Sequence, residues 1–66
     1  MTIGEKIKEL RIDNKLSQEK LGKAIGVSQK AVDYWERGVN EPKASYIIAL
    51  VKVFGVSYDE FFSEIN

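Results

Sequence analysis

The sequence predicts an all-α domain of five short helices, and three observations predict it. Ser or Thr recurs as a candidate helix cap at Thr2, Ser17, Ser28 and Ser57, while Gly26, Gly38 and Gly55 stand where helices would stop. Between these marks the apolar residues recur at three- and four-residue spacing. No segment has the two-residue alternation of a half-buried strand, and there is no linker or repeat. A chain of 66 residues is expected to hold one domain, spanning 1–66.

Thr2 followed by Glu5 has capping-box spacing, and Ile3, Ile7 and Leu10 then share one face. Helix 1 is expected from about Ile3 to Asn14, with Ile12 on its solvent side. Ser17 caps helix 2, whose inward stripe is Leu21 and Ile25, and Gly26 takes the left-handed position behind it. Ser28 opens helix 3, and Gly38 ends it. Pro42 precedes helix 4, in which Ile47, Leu50, Val51 and Phe54 follow i, i+3, i+4, i+7 spacing up to Gly55. Ser57 with Glu60 repeats the capping-box spacing and starts a fifth helix through Phe61, Phe62 and Ile65.

Composition narrows the function. Cysteine and histidine are both absent, which removes thiolate ligands, disulfides, the commonest metal ligand and the usual neutral-pH base. Neither catalysis, a cofactor nor a small-molecule substrate is expected. The longest apolar run, Tyr46 to Val51, is far shorter than a membrane span, and the N-terminus has no signal-peptide pattern. No membrane partner is expected, and the cytoplasm is the default compartment. Ten basic residues balance ten acidic ones, which argues mildly against nucleic acid, because DNA-binding domains are usually basic. The charges are unevenly spread. Residues 15–43 carry six basic and four acidic residues, whereas beyond Lys52 there are only Asp59, Glu60 and Glu64. Any DNA-facing surface therefore lies in the middle of the chain.

The stretch Gln18 to Arg37, QEKLGKAIGVSQKAVDYWER, carries the functional signal. Two helices joined by a turn of a few residues cross steeply, at roughly 90–120° in a helix-turn-helix. Such a crossing needs a small residue where the backbones meet, supplied by Gly22. It also needs a positive φ in the turn, which Gly26 adopts without strain. Leu21, Ile25, Val27 and Val32 fill the wedge. At 100° per residue, helix 3 turns Ser28, Ala31, Val32 and Trp35 inward, with Glu36 at the margin. Gln29, Lys30, Asp33, Tyr34 and Arg37 form one outward side, made of groups able to reach base edges and phosphates.

These pieces, in order and at this spacing, resemble the Cro and phage-repressor type (XRE-like) helix-turn-helix family. The likeness runs through almost the whole chain, from IGEKIKELR through LSQEKLGKAIGVSQKAVDYWERG and EP to FGVSYDEFF. It implies a compact five-helix, lambda-repressor-like DNA-binding domain with the helix-turn-helix at helices 2 and 3. Helix 3 would enter the major groove. By the same likeness Gln18 meets the DNA backbone and can brace Gln29, and Gln29 reads adenine. Lys30, Asp33 and Tyr34 occupy base-facing positions, and Ser28, Arg37, Asn40 and Lys43 touch phosphates. The implied partner is a palindromic double-stranded operator bound by a homodimer, joined through the C-terminal end near Val56, Tyr58, Phe62 and Ile65. Relatives pair an arginine and a glutamate at the places of Arg11 and Glu36, and a largely buried ion pair is expected there. The chain departs from many relatives in carrying Gly22 where they have alanine. The bulk of Tyr34 and the charge of Asp33 are also unusual for base-reading positions.

Plain readings stand beside these. Gln29 could be a solvated first-turn residue, and Lys30, Arg37 and Lys43 ordinary surface charges. Asp33 either accepts from cytosine N4 or pairs with Arg37 at i+4. Tyr34 touches a thymine methyl or a phosphate, or only covers the helix. Trp35 lies on the inward stripe and is expected in the core. The reading reached is a sequence-specific regulator of transcription, a repressor. Its rival is a helical protein-interaction module, such as an antitoxin-like or regulator-binding domain. The neutral charge and Asp33 lean toward the rival, and the polar outward face of helix 3 leans toward DNA.

Overall fold

A computed structural model describes all residues from Met1 to Asn66. Its helices are α1 (Ile3–Asp13), α2 (Gln18–Ile25), α3 (Gln29–Glu36), α4 (Ala44–Phe54) and α5 (Tyr58–Phe62), with no strand. The side chains of Thr2, Ser17, Ser28 and Ser57 each accept the backbone N–H three residues on. Glu5 and Glu60 complete reciprocal capping boxes. Removing such a cap costs about 1 kcal/mol, so four of them fix the helix starts from local chemistry alone. Gly26, Gly38 and Gly55 all have positive φ, at +82°, +76° and +68°.

Two ends differ from expectation. α1 stops at Asp13, and its left-handed terminal position falls to Lys15 at φ 57°, where no glycine marks it. α5 stops at Phe62, because the Ser63 hydroxyl donates to the Glu60 carbonyl and closes the last turn. Ile65 lies beyond the helix.

Ile7, Leu21, Val32, Trp35, Leu50, Val51, Phe54 and Phe61 form the buried core, to which every helix contributes. Complete burial of a residue such as Leu50 or Phe61 contributes about 1.5–3 kcal/mol. Tyr46 lies against Trp35, with ring centroids 5.7 Å apart. The expected wedge is present. A Cβ on Gly22 would come within 2.6 Å of the Val27 carbonyl oxygen, so at this separation of α2 and α3 a side chain there would force the backbones apart. Gly4, which the sequence reading passed over, is tighter still: a Cβ there would overlap the Trp35 carbonyl. α1 consequently lies directly on the C-terminal backbone of α3. No helix is long and apolar enough to cross a membrane.

Candidate nucleic-acid interface

The outward face of α3 is set from behind. Val32 and Trp35 point into the core, which leaves Gln29, Lys30 and Arg37 exposed, with Asp33 and Tyr34 partly so. Glu36, expected at the margin, has its side chain buried. Its carboxylate takes two bonds from Arg11, Nε to Oε2 at 2.6 Å and Nη2 to Oε1 at 3.0 Å. Side-chain exposure is 13% for Arg11 and 3% for Glu36, so the expected buried pair is there. Arg11 Nη1 donates to the Leu16 carbonyl at 2.8 Å, and no buried side-chain polar atom lacks a partner. The Glu36 carboxylate raises the Arg11 pKa above its ordinary value and keeps the guanidinium charged.

Gln18 departs from its expected role as a brace for Gln29. Its Nε2 donates instead to Glu36 Oε1 at 3.1 Å and to Asp33 Oδ1 at 3.4 Å. Both acceptors lie on the α3 face that meets the start of α2, and a carboxylate draws an amide donor more strongly than a neutral amide does. In the unbound chain Asp33 pairs with Arg37 at i+4. Arg37 Nε and Nη2 each stand 3.0 Å from Asp33 Oδ2. Tyr34 lies between two cations, Lys30 Nζ at 5.5 Å and Arg37 Cζ at 5.3 Å from its ring centre. In the unbound chain its ring lies along the outer helix face.

Ser28, Lys30, Tyr34, Asn40 and Lys43 line one open cleft, together with Val27, Ala31, Trp35, Glu41 and Tyr46. The other four predicted site residues, Gln18, Gln29, Asp33 and Arg37, lie outside its walls. The cleft has a signal that sequence reading missed. Its walls include the first turns of α3 and α4, and neither turn contains an acidic residue. The first turns of α1, α2 and α5 all carry one or two. Free N–H groups and the positive end of the helix dipole make an acid-free first turn attractive to anions. Lys43 strengthens this, since it occupies the α4 cap position without capping the helix through its side chain.

The expected dimer surface divides. Tyr58 and Phe62 are exposed and line an apolar groove with Ala44, Ile47 and Ile48. Val56 and Ile65 are half-buried, pack against the core and do not line that groove.

Comparison with known proteins agrees with this geometry. The helix-turn-helix family profile matches residues 7–61. The transcriptional regulator DicA of Escherichia coli K12 is 42% identical over 57 residues, which cover 86% of this chain and 42% of DicA. Repressor protein C2 of Salmonella phage P22 is 40% identical over 57 residues, covering 86% of this chain and 26% of that repressor. The chain thus spans less than half the length of either relative. A crystal structure of the P22 c2 repressor in complex with a synthetic operator superposes with a TM-score of 0.84 at 38% identity, over 92% of both chains. With the profile covering most of its length, the chain belongs to the helix-turn-helix family, in its Cro and phage-repressor branch.

Proposed function

We propose that this chain is the DNA-binding module of a cytoplasmic transcriptional repressor, a non-enzymatic protein that reads a duplex operator with α3 in the major groove. One observation carries the reading. An exposed polar helix face adjoins a cleft onto which two acid-free helix N-termini open, so base-reading and phosphate-holding groups lie side by side. The complex of the similar P22 repressor with an operator supports a DNA partner for this chain.

In this reading Gln29, at the exposed first position of α3, pairs with adenine N6 and N7. Lys30 and Tyr34 face neighbouring bases. Ser28, Asn40 and Lys43 hold a phosphate run along the cleft, and Gln18 and Arg37 meet the backbone on the other flank. A second copy packs through the Ile48, Tyr58 and Phe62 face, and two half-sites lie about 34–36 Å apart on a palindrome. The polar character of the α3 face favours DNA over a protein-interaction role, which would place apolar side chains there.

Selection from a random duplex library tests the reading and supplies the operator. On the selected duplex, Gln29→Ala should lose about 1–3 kcal/mol of discrimination at one base pair, with non-specific binding nearly unchanged. An equal loss on every sequence would remove Gln29 from the readers. Failure to enrich any sequence would overturn the DNA reading.

A further inference from the structure

Asp33 is an acid in the middle of a face read as DNA-binding, and both of its carboxylate oxygens are occupied. Oδ2 takes Arg37 Nε and Nη2, each at 3.0 Å. Oδ1 takes Gln18 Nε2 at 3.4 Å. Gln18 and Arg37 are the two side chains assigned to the DNA backbone on that flank. We propose that Asp33 is an internal stand-in for a DNA phosphate, holding Arg37 and Gln18 in the unbound protein and so limiting the non-specific, electrostatic part of DNA binding. The inference rests on the proposed DNA-binding function.

The chemistry of the pair favours this. A guanidinium presents a planar fork that binds carboxylate and phosphate by the same geometry, so the two anions compete for one donor set. Arg37 stays more than half exposed while paired, with side-chain exposure of 59%, so an incoming phosphate can reach it. The competing acid cannot move far, because it sits on the middle turn of α3 beside the buried Glu36 and shares the Gln18 amide with it. An arginine that exchanges a carboxylate for a phosphate adds little net attraction. Of the cations on this surface, Lys30 and Lys43 have no acidic partner within ion-pair distance, so their charge is fully available to DNA. Asp33 acts through its neighbours and is a positioning residue, with no base contact of its own.

The test measures affinity for a fixed non-specific duplex across a salt series, for the parent, Asp33→Asn, Arg37→Ala and the double variant. Asparagine keeps the shape of Asp33 and removes its charge, and a thermal melt of each protein checks that it is folded. Freeing Arg37 for one more phosphate should steepen the log–log salt slope of Asp33→Asn by about 0.9. The ratio of variant to parent affinity should then grow roughly 3.5-fold as salt falls from about 200 to about 50 mM. In the Arg37→Ala background the same substitution should leave the slope unchanged. An unaltered slope in Asp33→Asn overturns the proposal. So does an equal steepening without Arg37, which would make Asp33 a bare repulsive charge. A parent that binds no duplex at any salt sinks the DNA reading itself, and the parent titration shows this separately.

Discussion

α1 is joined to the rest of the domain by two ion pairs that differ in what surrounds their charges. Arg11 meets Glu36 of the recognition helix with both side chains almost wholly enclosed. Lys6 meets Glu64 of the C-terminal tail at 2.9 Å, but only the lysine is enclosed, with exposures of 7% and 63%. The first pair has two bonds between its partners and a third to the Leu16 carbonyl, and the second has a single bond. Burial makes the first pair obligatory, because either charge left alone would stay in a poorly solvated site. An exposed Glu64 simply returns to water when its partner is lost, and exposed pairs contribute little. The angle of the recognition helix thus depends on the pair that cannot open, whereas the tail depends on one that can.

The largest expected effect comes from breaking the enclosed pair. Glu36→Ala should destabilise the domain by about 3–5 kcal/mol, the usual cost of leaving one partner of a buried pair behind. Small domains have little more than roughly 5 kcal/mol in total, so much of the population should unfold and DNA binding should fail. Arg11→Met with Glu36→Leu should recover most of that stability in urea melts, since apolar replacement of a buried pair is often neutral or better. If Glu36→Ala melts within a degree or two of the parent, the contrast between the two junctions fails at its stronger end.

The contrast was only half legible in the sequence. Four Ser and Thr caps and three glycine stops were read correctly because each acts over three or four residues, the range in which spacing along the chain reports spacing in space. The Arg11–Glu36 pair follows from the family likeness together with the marginal wheel position of Glu36. Lys6–Glu64 spans 58 residues of sequence and carries no periodic signal, so nothing local announced it. Gln18 was assigned to the DNA backbone and to Gln29, yet its bonds to Asp33 and Glu36 depend on the α2–α3 crossing, which spacing alone does not define. Gly4 was missed for a related reason. A glycine in the first turn of a helix reads as neutral until the helix packed on it is known.

Gly4→Ala sharpens the comparison at the next level down, because it tests whether backbone contact or charge holds α1 on α3. The added methyl would overlap the Trp35 carbonyl and crowd Glu36 Cα, both of which are backbone atoms with no rotamer to change. Overpacking costs typically about 1–3 kcal/mol where side chains can yield, and the upper end of that range is expected here. The damage should spread to the neighbouring ion pair, since lifting α1 also draws Arg11 away from Glu36. A double-mutant cycle with Glu36→Ala should therefore be far from additive. Additive losses would mean that the glycine contact and the ion pair hold α1 independently.

The smallest effect is expected at the open pair, and pH makes it distinctive. The hydrogen bond from Lys6 holds the Glu64 carboxyl below its ordinary value of 4.5, and the bond to Glu64 raises Lys6 above its ordinary 10.5. The Glu64 contribution is present above the unfolded carboxyl value and is lost as pH falls through the lowered folded one. The Lys6 contribution is present below the unfolded amine value and is lost as pH rises through the raised one. The pair therefore stabilises the tail across the whole neutral range and fades at both extremes. Glu64→Gln, whose amide oxygen can still accept from the enclosed Lys6 ammonium, should lower Tm slightly at neutral pH, by less than either substitution in α1 or α3. The gap between variant and parent should close well below the carboxylate range and again above the amine range. High salt should narrow it at neutral pH, as it does for exposed charges. A gap that persists unchanged in acid would show that Glu64 acts through packing or its neutral hydrogen bonds. A gap as large as that of Glu36→Ala would erase the distinction between the enclosed pair and the open one.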